Sequence, residues 1–174
     1  IDPVIHKDVD KSIDFRSEDV FKFFKSSQNK FDLIMIKQTL HFFNKDKRTR
    51  LIKICKKNLK KNGVLVIFSL VTKNNEIPCF KLMKQKLNRG LERDARMLTA
   101  ISKLLVDYQI DIFKFNVSMT KDKYIKMLQQ RYISCLINLN KDQISNGIKE
   151  IKKLFDKKIN FIDKLSSIKY NKKS

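Results

Sequence analysis

Two apolar runs, FDLIMIK at residues 31–37 and VLVIFSL at 64–70, enclose a stretch with helical periodicity, and few folds accommodate that arrangement. A near-continuous apolar run of strand length is how a strand covered on both faces reads. Between the runs, residues 45–61 put Leu51, Ile52, Cys55 and Leu59 at helical spacing, with lysines and arginines filling the opposite face. Asn62-Gly63 is expected to stop this helix, with Gly63 in a left-handed helix end. A strand–helix–strand alternation of this kind predicts a parallel pair with the helix packed on the sheet.

Further elements extend the pattern. Residues 12–16 (SIDFR) alternate and predict a short strand, and 18–26 predict a short helix carrying Val20, Phe21, Phe23 and Phe24 behind an acidic start. Pro78 suits the first turn of a helix running to about Val106, with Met83, Leu87, Leu91, Leu98, Ile101 and Leu105 on one side. Residues 110–119 predict a strand with one wetter face. Thr120 and Asp122 open a helix expected to reach Asn138. Residues 142–155 form an amphipathic helix on Ile144, Ile148, Ile151 and Phe155, and a strand at 159–168 closes the sheet. Residues 1–170 thus form one domain, and the lysine-rich residues 171–174 are expected to fray. No internal repeat, low-complexity linker or second domain is visible.

A chain of 174 residues, 42% hydrophobic and 33% charged, suits one globular domain with a real core. No run approaches the ~18 apolar residues that would cross a bilayer. The opening Ile1-Asp2-Pro3 lacks the basic start and apolar stretch of a signal peptide, and the missing initiator Met leads us to expect either a longer chain before it or removal by processing. Cys55, Cys79 and Cys135 are scattered with no CxxC spacing, so neither disulfides nor a metal site are expected, and a reducing cytoplasm fits. The net charge of +21 is what a nucleic-acid or anionic-membrane surface would carry. However, only seven of the 39 basic residues are Arg, the residue suited to bidentate phosphate contacts, and the lysines are spread along the chain. Lys, Asn, Ile and Phe are all plentiful, as an AT-rich genome favours. Compositional bias is therefore the better account; a nucleic-acid partner stays open but is not favoured.

The segment FDLIMIKQTLHFF (31–43), a basic helix, and then LKKNGVLVI (59–67) resembles the fourth and fifth strand region of class I S-adenosylmethionine (SAM)-dependent methyltransferases. In that family an FD-apolar strand ends in a short polar loop over the cofactor, and the following helix ends in an LKPGGxLxI-like turn; Asn62 departs from it. Residues 122–136, 140–151 and 158–165 are similar to the C-terminal part of the methyltransferase type 11, UbiE and trans-aconitate methyltransferase group. The resemblance implies a Rossmann-like α/β sheet with helices on both faces and SAM as cofactor. The family's glycine-rich loop has no counterpart, because Gly63, Gly90 and Gly147 are far apart. The resemblance therefore implies a domain missing its first strands, with Ile1-Asp2 at the end of the second. Such a piece is expected to leave the strand at 31–37 with an unpaired apolar edge, or to force an improvised pairing with residues 12–16, and to bind SAM weakly or not at all.

The resemblance also assigns roles. Asp2 would accept the ribose hydroxyls, as an acid at a strand end does in dinucleotide folds, unless it is simply a terminal acid. Ser17 and Glu18, with Asp19 the lesser contact, would meet the adenine edge; the same residues could equally cap the helix that follows. The backbone at Lys37 and Gln38 would meet the methionine part of SAM. His41 would line the transfer site, where it could act as a base near neutral pH or merely pack beside Phe42 and Phe43. Methyl transfer is an in-line displacement governed by positioning, so it needs no obvious base. Arg131 and Tyr132 would face the substrate, Arg131 holding a carboxylate or phosphate or else being a solvated helix charge. His6 supports no role. The implied activity is methyl transfer to a small, anionic or carbonyl-bearing molecule. The alternatives are an RNA or protein methyltransferase using the basic surface, or a non-catalytic basic nucleic-acid-binding module.

Overall fold

A computed structural model describes residues 1–2 and 10–173, so His6 lies outside the described residues. In chain order the elements are α1 (Val20–Ser26), β1 (Phe31–Lys37), α2 (Lys45–Asn58), β2 (Leu59–Leu70), α3 (Lys81–Ser102), β3 (Tyr108–Thr120), α4 (Lys121–Gln129), α5 (Lys141–Leu154) and β4 (Lys158–Asn171). Single 3-10 turns lie at Leu40–Phe42 and Ser134–Leu136. Side-chain caps explain where the helices begin. Asp19 accepts from the Phe21 and Lys22 amides, Asn44 from Lys47 and Thr120 from Lys123, while Asn140 and Gln143 form a reciprocal capping box.

The strands form one sheet in the order β1-β2-β4-β3. β1 and β2 are parallel, as the strand–helix–strand pattern requires, whereas β4 runs antiparallel to both β2 and β3. The last strand therefore inserts between its predecessors instead of closing the sheet at an edge. Residues 12–16 do not form the expected strand. What stands there is one parallel bridge between Asp2 and Ser17, with the Asp2 amide donating to Arg16 and the Glu18 amide to Asp2.

Two buried clusters sandwich the sheet. One gathers Ile36, Leu65, Ile67 and Ile168 under Leu51, Ile52 and Cys55 of α2 and Met97 and Ile101 of α3, with Val20, Phe21 and Phe24 of α1 at its margin. The other gathers Phe80, Met83, Tyr124, Leu128, Ile144, Ile151 and Ile159. Ile159 and Ile168 are nine residues apart along β4, an odd interval, so alternation puts them on opposite faces. Helices thus cover both faces, and α3 supplies residues to both clusters.

Several boundaries differ from the sequence expectation. β1 is not covered on both faces: Ile34 and Ile36 pack inward, but Leu33 and Met35 are 52% and 56% exposed. Among the described residues β1 pairs with β2 alone, and its Leu33–Met35 row faces away from the core. β3, the other edge of the sheet, is exposed on both rows from Tyr108 to Asn116. α2 ends at Asn58, since the fully buried Leu59 already belongs to β2. The left-handed residue is Asn62 (φ 62°), and Gly63 is not left-handed. α3 ends at Ser102, where the Leu104 and Leu105 amides tighten into turns on Ile101 and Ser102 before a left-handed Asp107. Past the end of β4, the Lys172 amide donates to Gly63 and its carbonyl accepts from Asn62, so the ladder continues to Lys172.

Candidate functional site

The ends of β1 and β2 from which the parallel pair points toward α3 open onto a cleft of about 950 Å³. This is the carboxyl edge, where open α/β sheets bind ligands. The cleft lies between the two cores. Its walls are the loop after β1 (Gln38, His41, Phe42), the end of β2 (Phe68, Ser69, Leu70), the middle of α3 (Leu87, Gly90, Asp94) and the projecting part of the β3–β4 ladder (Val117, Met119, Phe161, Asp163). Leu70 pairs with Leu165, so β4 residues 158–164 and their β3 partners reach past the end of β2 and form that last wall.

The loop after β1 is held by local geometry. Gln38 takes a left-handed backbone (φ 52°) while its amide still donates to the Phe68 carbonyl at 2.9 Å. That reversal turns the chain into the Leu40–Phe42 turn, anchored by Leu40, which is 3% exposed. The His41 ring lies 4.1 Å from the Phe42 ring, and its Nε2 is buried without a hydrogen-bond partner. Burial holds the imidazole pKa below its ordinary range; Asp94 opposes this and Arg93 adds to it. His41 is therefore a neutral imidazole at pH 7.

That shift has a testable consequence. Unfolded, His41 titrates near pH ~6.5, and its folded pKa is lower, so the unfolded state binds more protons between the two values. The corresponding stability is fully present above pH ~6.5 and is lost as pH falls through the folded pKa. His41→Gln should flatten the fall in urea midpoint just below pH ~6.5; an unchanged slope would show that His41 does not carry it.

Of the other candidates, Tyr132 reaches the cleft and Arg131 does not. The predicted helix through Asn138 stops at Gln129, because Arg131 is left-handed (φ 53°) and the Tyr132 amide folds back to the Met127 carbonyl. Both residues thus sit on a loop. The Arg131 Nη2 donates to the Leu139 carbonyl at 3.0 Å, bracing that loop, and its Nε is buried without a partner. The Tyr132 hydroxyl sits 3.1 Å from that of Tyr124, which donates to the Pro78 carbonyl. Burial pushes both phenols above their ordinary range. Burial likewise pushes the Cys135 thiol up to about 11, which leaves it a poor nucleophile at neutral pH.

Asp2, Ser17 and Glu18 are brought together by the bridge beside the start of α1, but none lines this cleft. Asp19 is the α1 cap. Lys37 is exposed at the end of β1 and also stands outside the cleft. The structure adds one residue that the sequence reading passed over. Asp163 lines the cleft with its Oδ1 buried and without a hydrogen-bond partner. Its signal was an acid in the row Ile159, Phe161, Asp163, Leu165, where alternation calls for an apolar side chain.

Residues 2–86 match the family model described as CheR methyltransferase, SAM binding domain. This stretch is just under half of the chain. The match ends before the C-terminal motifs that resemble methyltransferase type 11. Among solved structures, the chain is similar to a SAM-dependent methyltransferase from Archaeoglobus fulgidus, at 18% identity over 90% of this chain and 66% of that one, with a TM-score of 0.46. It is also similar to phosphoethanolamine N-methyltransferase 2 of Haemonchus contortus in complex with SAM, at 11% identity over 83% of this chain and 34% of that one, with a TM-score of 0.40. The chain spans just under two thirds of the first protein and about one third of the second. No curated protein matches it by sequence. No helix among the described residues is long and apolar enough to cross a membrane.

Proposed function

We propose that the protein transfers a methyl group from SAM to a small molecule held in the cleft beyond β1 and β2. The observation that carries this is the position of Gln38 and His41: both stand in the wall of that cleft, within the stretch that matches a SAM-binding domain. A volume of about 950 Å³ also lies within the range of small-molecule sites, roughly 300–1,000 Å³.

The residues present fit one side of a SAM site. The reversed backbone at Gln38, with the backbone at Lys37 just outside the cleft, would meet the methionine part, and the orphaned His41 Nε2 would line the transfer site. Asp2 would take the ribose hydroxyls, with Ser17 and Glu18 beside the adenine. Bound SAM supplies a sulfonium methyl for in-line displacement. The chain's own contribution is to hold the acceptor in line and to exclude water. His41 and Tyr132 would flank the acceptor, and Arg131 would shape its pocket by bracing the 131–139 loop. Three free thiols suit a reducing cytoplasm.

Calorimetric titration of the full-length protein with S-adenosylhomocysteine tests the proposal. Saturable binding that His41→Ala weakens supports it. No binding by the folded full-length protein rules it out.

A further inference from the structure

Among the described residues, none donates a hydrogen bond to one buried carboxylate oxygen in the cleft. Asp163 Oδ1 is buried without a hydrogen-bond partner, at the end of a wall otherwise built from Val117, Met119, Met127, Phe161 and Tyr132. A carboxylate oxygen enclosed by apolar and aromatic groups is costly unless a cation or an N–H donor meets it. Lys86 and Arg89 also line the cleft, but neither donates to this oxygen. Neighbouring Lys164 donates to Glu76 and to the Asn74 carbonyl, and Arg93 pairs with Asp94. The Tyr132 hydroxyl is held by Tyr124. The Arg131 guanidinium, the group best suited to an anionic acceptor, is turned away to Leu139.

We propose that Asp163 is a substrate-binding residue and that the molecule accepted in this cleft carries an amine, whose N–H groups are held by Oδ1 while its apolar body lies against Met119, Phe161 and Tyr132. Aromatic and thioether walls suit such a ligand, because a cation is attracted to ring faces as well as to the carboxylate. The acceptor role rests on the methyltransferase proposal; the amine site itself does not.

The probes are benzylamine, benzyl alcohol and benzoate, which share one body and differ in the head group. Binding to the full-length protein is measured by calorimetry at neutral pH, beside a titration with S-adenosylhomocysteine. We expect benzylamine to bind at least about tenfold more tightly than benzyl alcohol, a difference of about 1.4 kcal/mol, and benzoate to bind more weakly still. Asp163→Asn should abolish the preference for the amine, and Asp111→Asn, an exposed carboxylate on β3, should leave it intact. Equal binding of amine and alcohol, or an amine preference that survives Asp163→Asn, overturns the proposal. Homocysteine-nucleoside binding without an amine preference sinks this inference alone, and the reverse sinks the methyltransferase proposal alone. Should Asp163→Asn fail to fold, wild-type amide shifts decide: benzylamine must perturb the Asp163 and Tyr132 signals, and perturbation confined elsewhere refutes the site.

Discussion

Phe80→Ala is expected to cost about 3–5 kcal/mol of stability, the usual loss when a fully buried aromatic ring is deleted. Phe80 is 1% exposed and precedes α3, in the cluster that joins Met83, Tyr124, Leu128, Ile144 and Ile151. The fit on α5 is unusually close. A Cβ added at Gly147 would stand 2.6 Å from the Phe80 ring, so the ring lies against bare helix backbone. Removing the ring leaves a cavity that the neighbouring helices cannot close without moving α5. The Tyr124–Tyr132 pair belongs to the same region, so the wall of the cleft should loosen with it. Urea unfolding read by far-UV circular dichroism checks the size, and a loss below about 1 kcal/mol would mean the cluster repacks freely.

The sequence showed the central architecture because the periodicities there were strong and the neighbours were local. β1 and the start of the helix after it agree with the expectation, as does the α5 helix, whose apolar row and capping box are complete within one stretch. What sequence could not show was set by distant partners. Leu33 and Met35 read as core because they are apolar, yet their exposure depends on what packs on that face of β1. The insertion of β4 between β2 and β3 is likewise invisible locally, since alternation in 158–171 fixes faces and not neighbours. The same limit applies to the site. The resemblance singles out Gln38 and His41 in the loop after a strand, and both line the cleft, whereas Arg131 and Tyr132 were placed on a helix that a left-handed Arg131 ends. Asp163 was passed over because its importance appears only when 159–163 is seen to overhang the cleft.

Gly63 sharpens the distinction between a residue's conformation and its surroundings. Its place after a helix suggests a left-handed cap, but the left-handed residue is Asn62, and Gly63 is needed for room. A Cβ there would meet the Phe31 carbonyl at 2.8 Å and the Lys60 carbonyl and amide at 3.0 and 3.1 Å, all backbone atoms. The same spot holds the irregularity that shifts the β1–β2 register between Phe31–Leu59 and Leu33–Val64. It also receives the Lys172 amide on the Gly63 carbonyl. None of these atoms can rotate aside as a side-chain tip would. Gly63→Ala should therefore cost about 1–3 kcal/mol, the range for overpacking a closed site. Asparagine separates the two explanations. It tolerates left-handed backbone, so Gly63→Asn would be mild if conformation were the reason for glycine. Crowding instead requires it to be at least as harmful as alanine, because the added Cβ meets the same carbonyls. Thermal midpoints of the two variants against wild type decide the matter: a mild asparagine beside a damaging alanine would return Gly63 to the role of a cap.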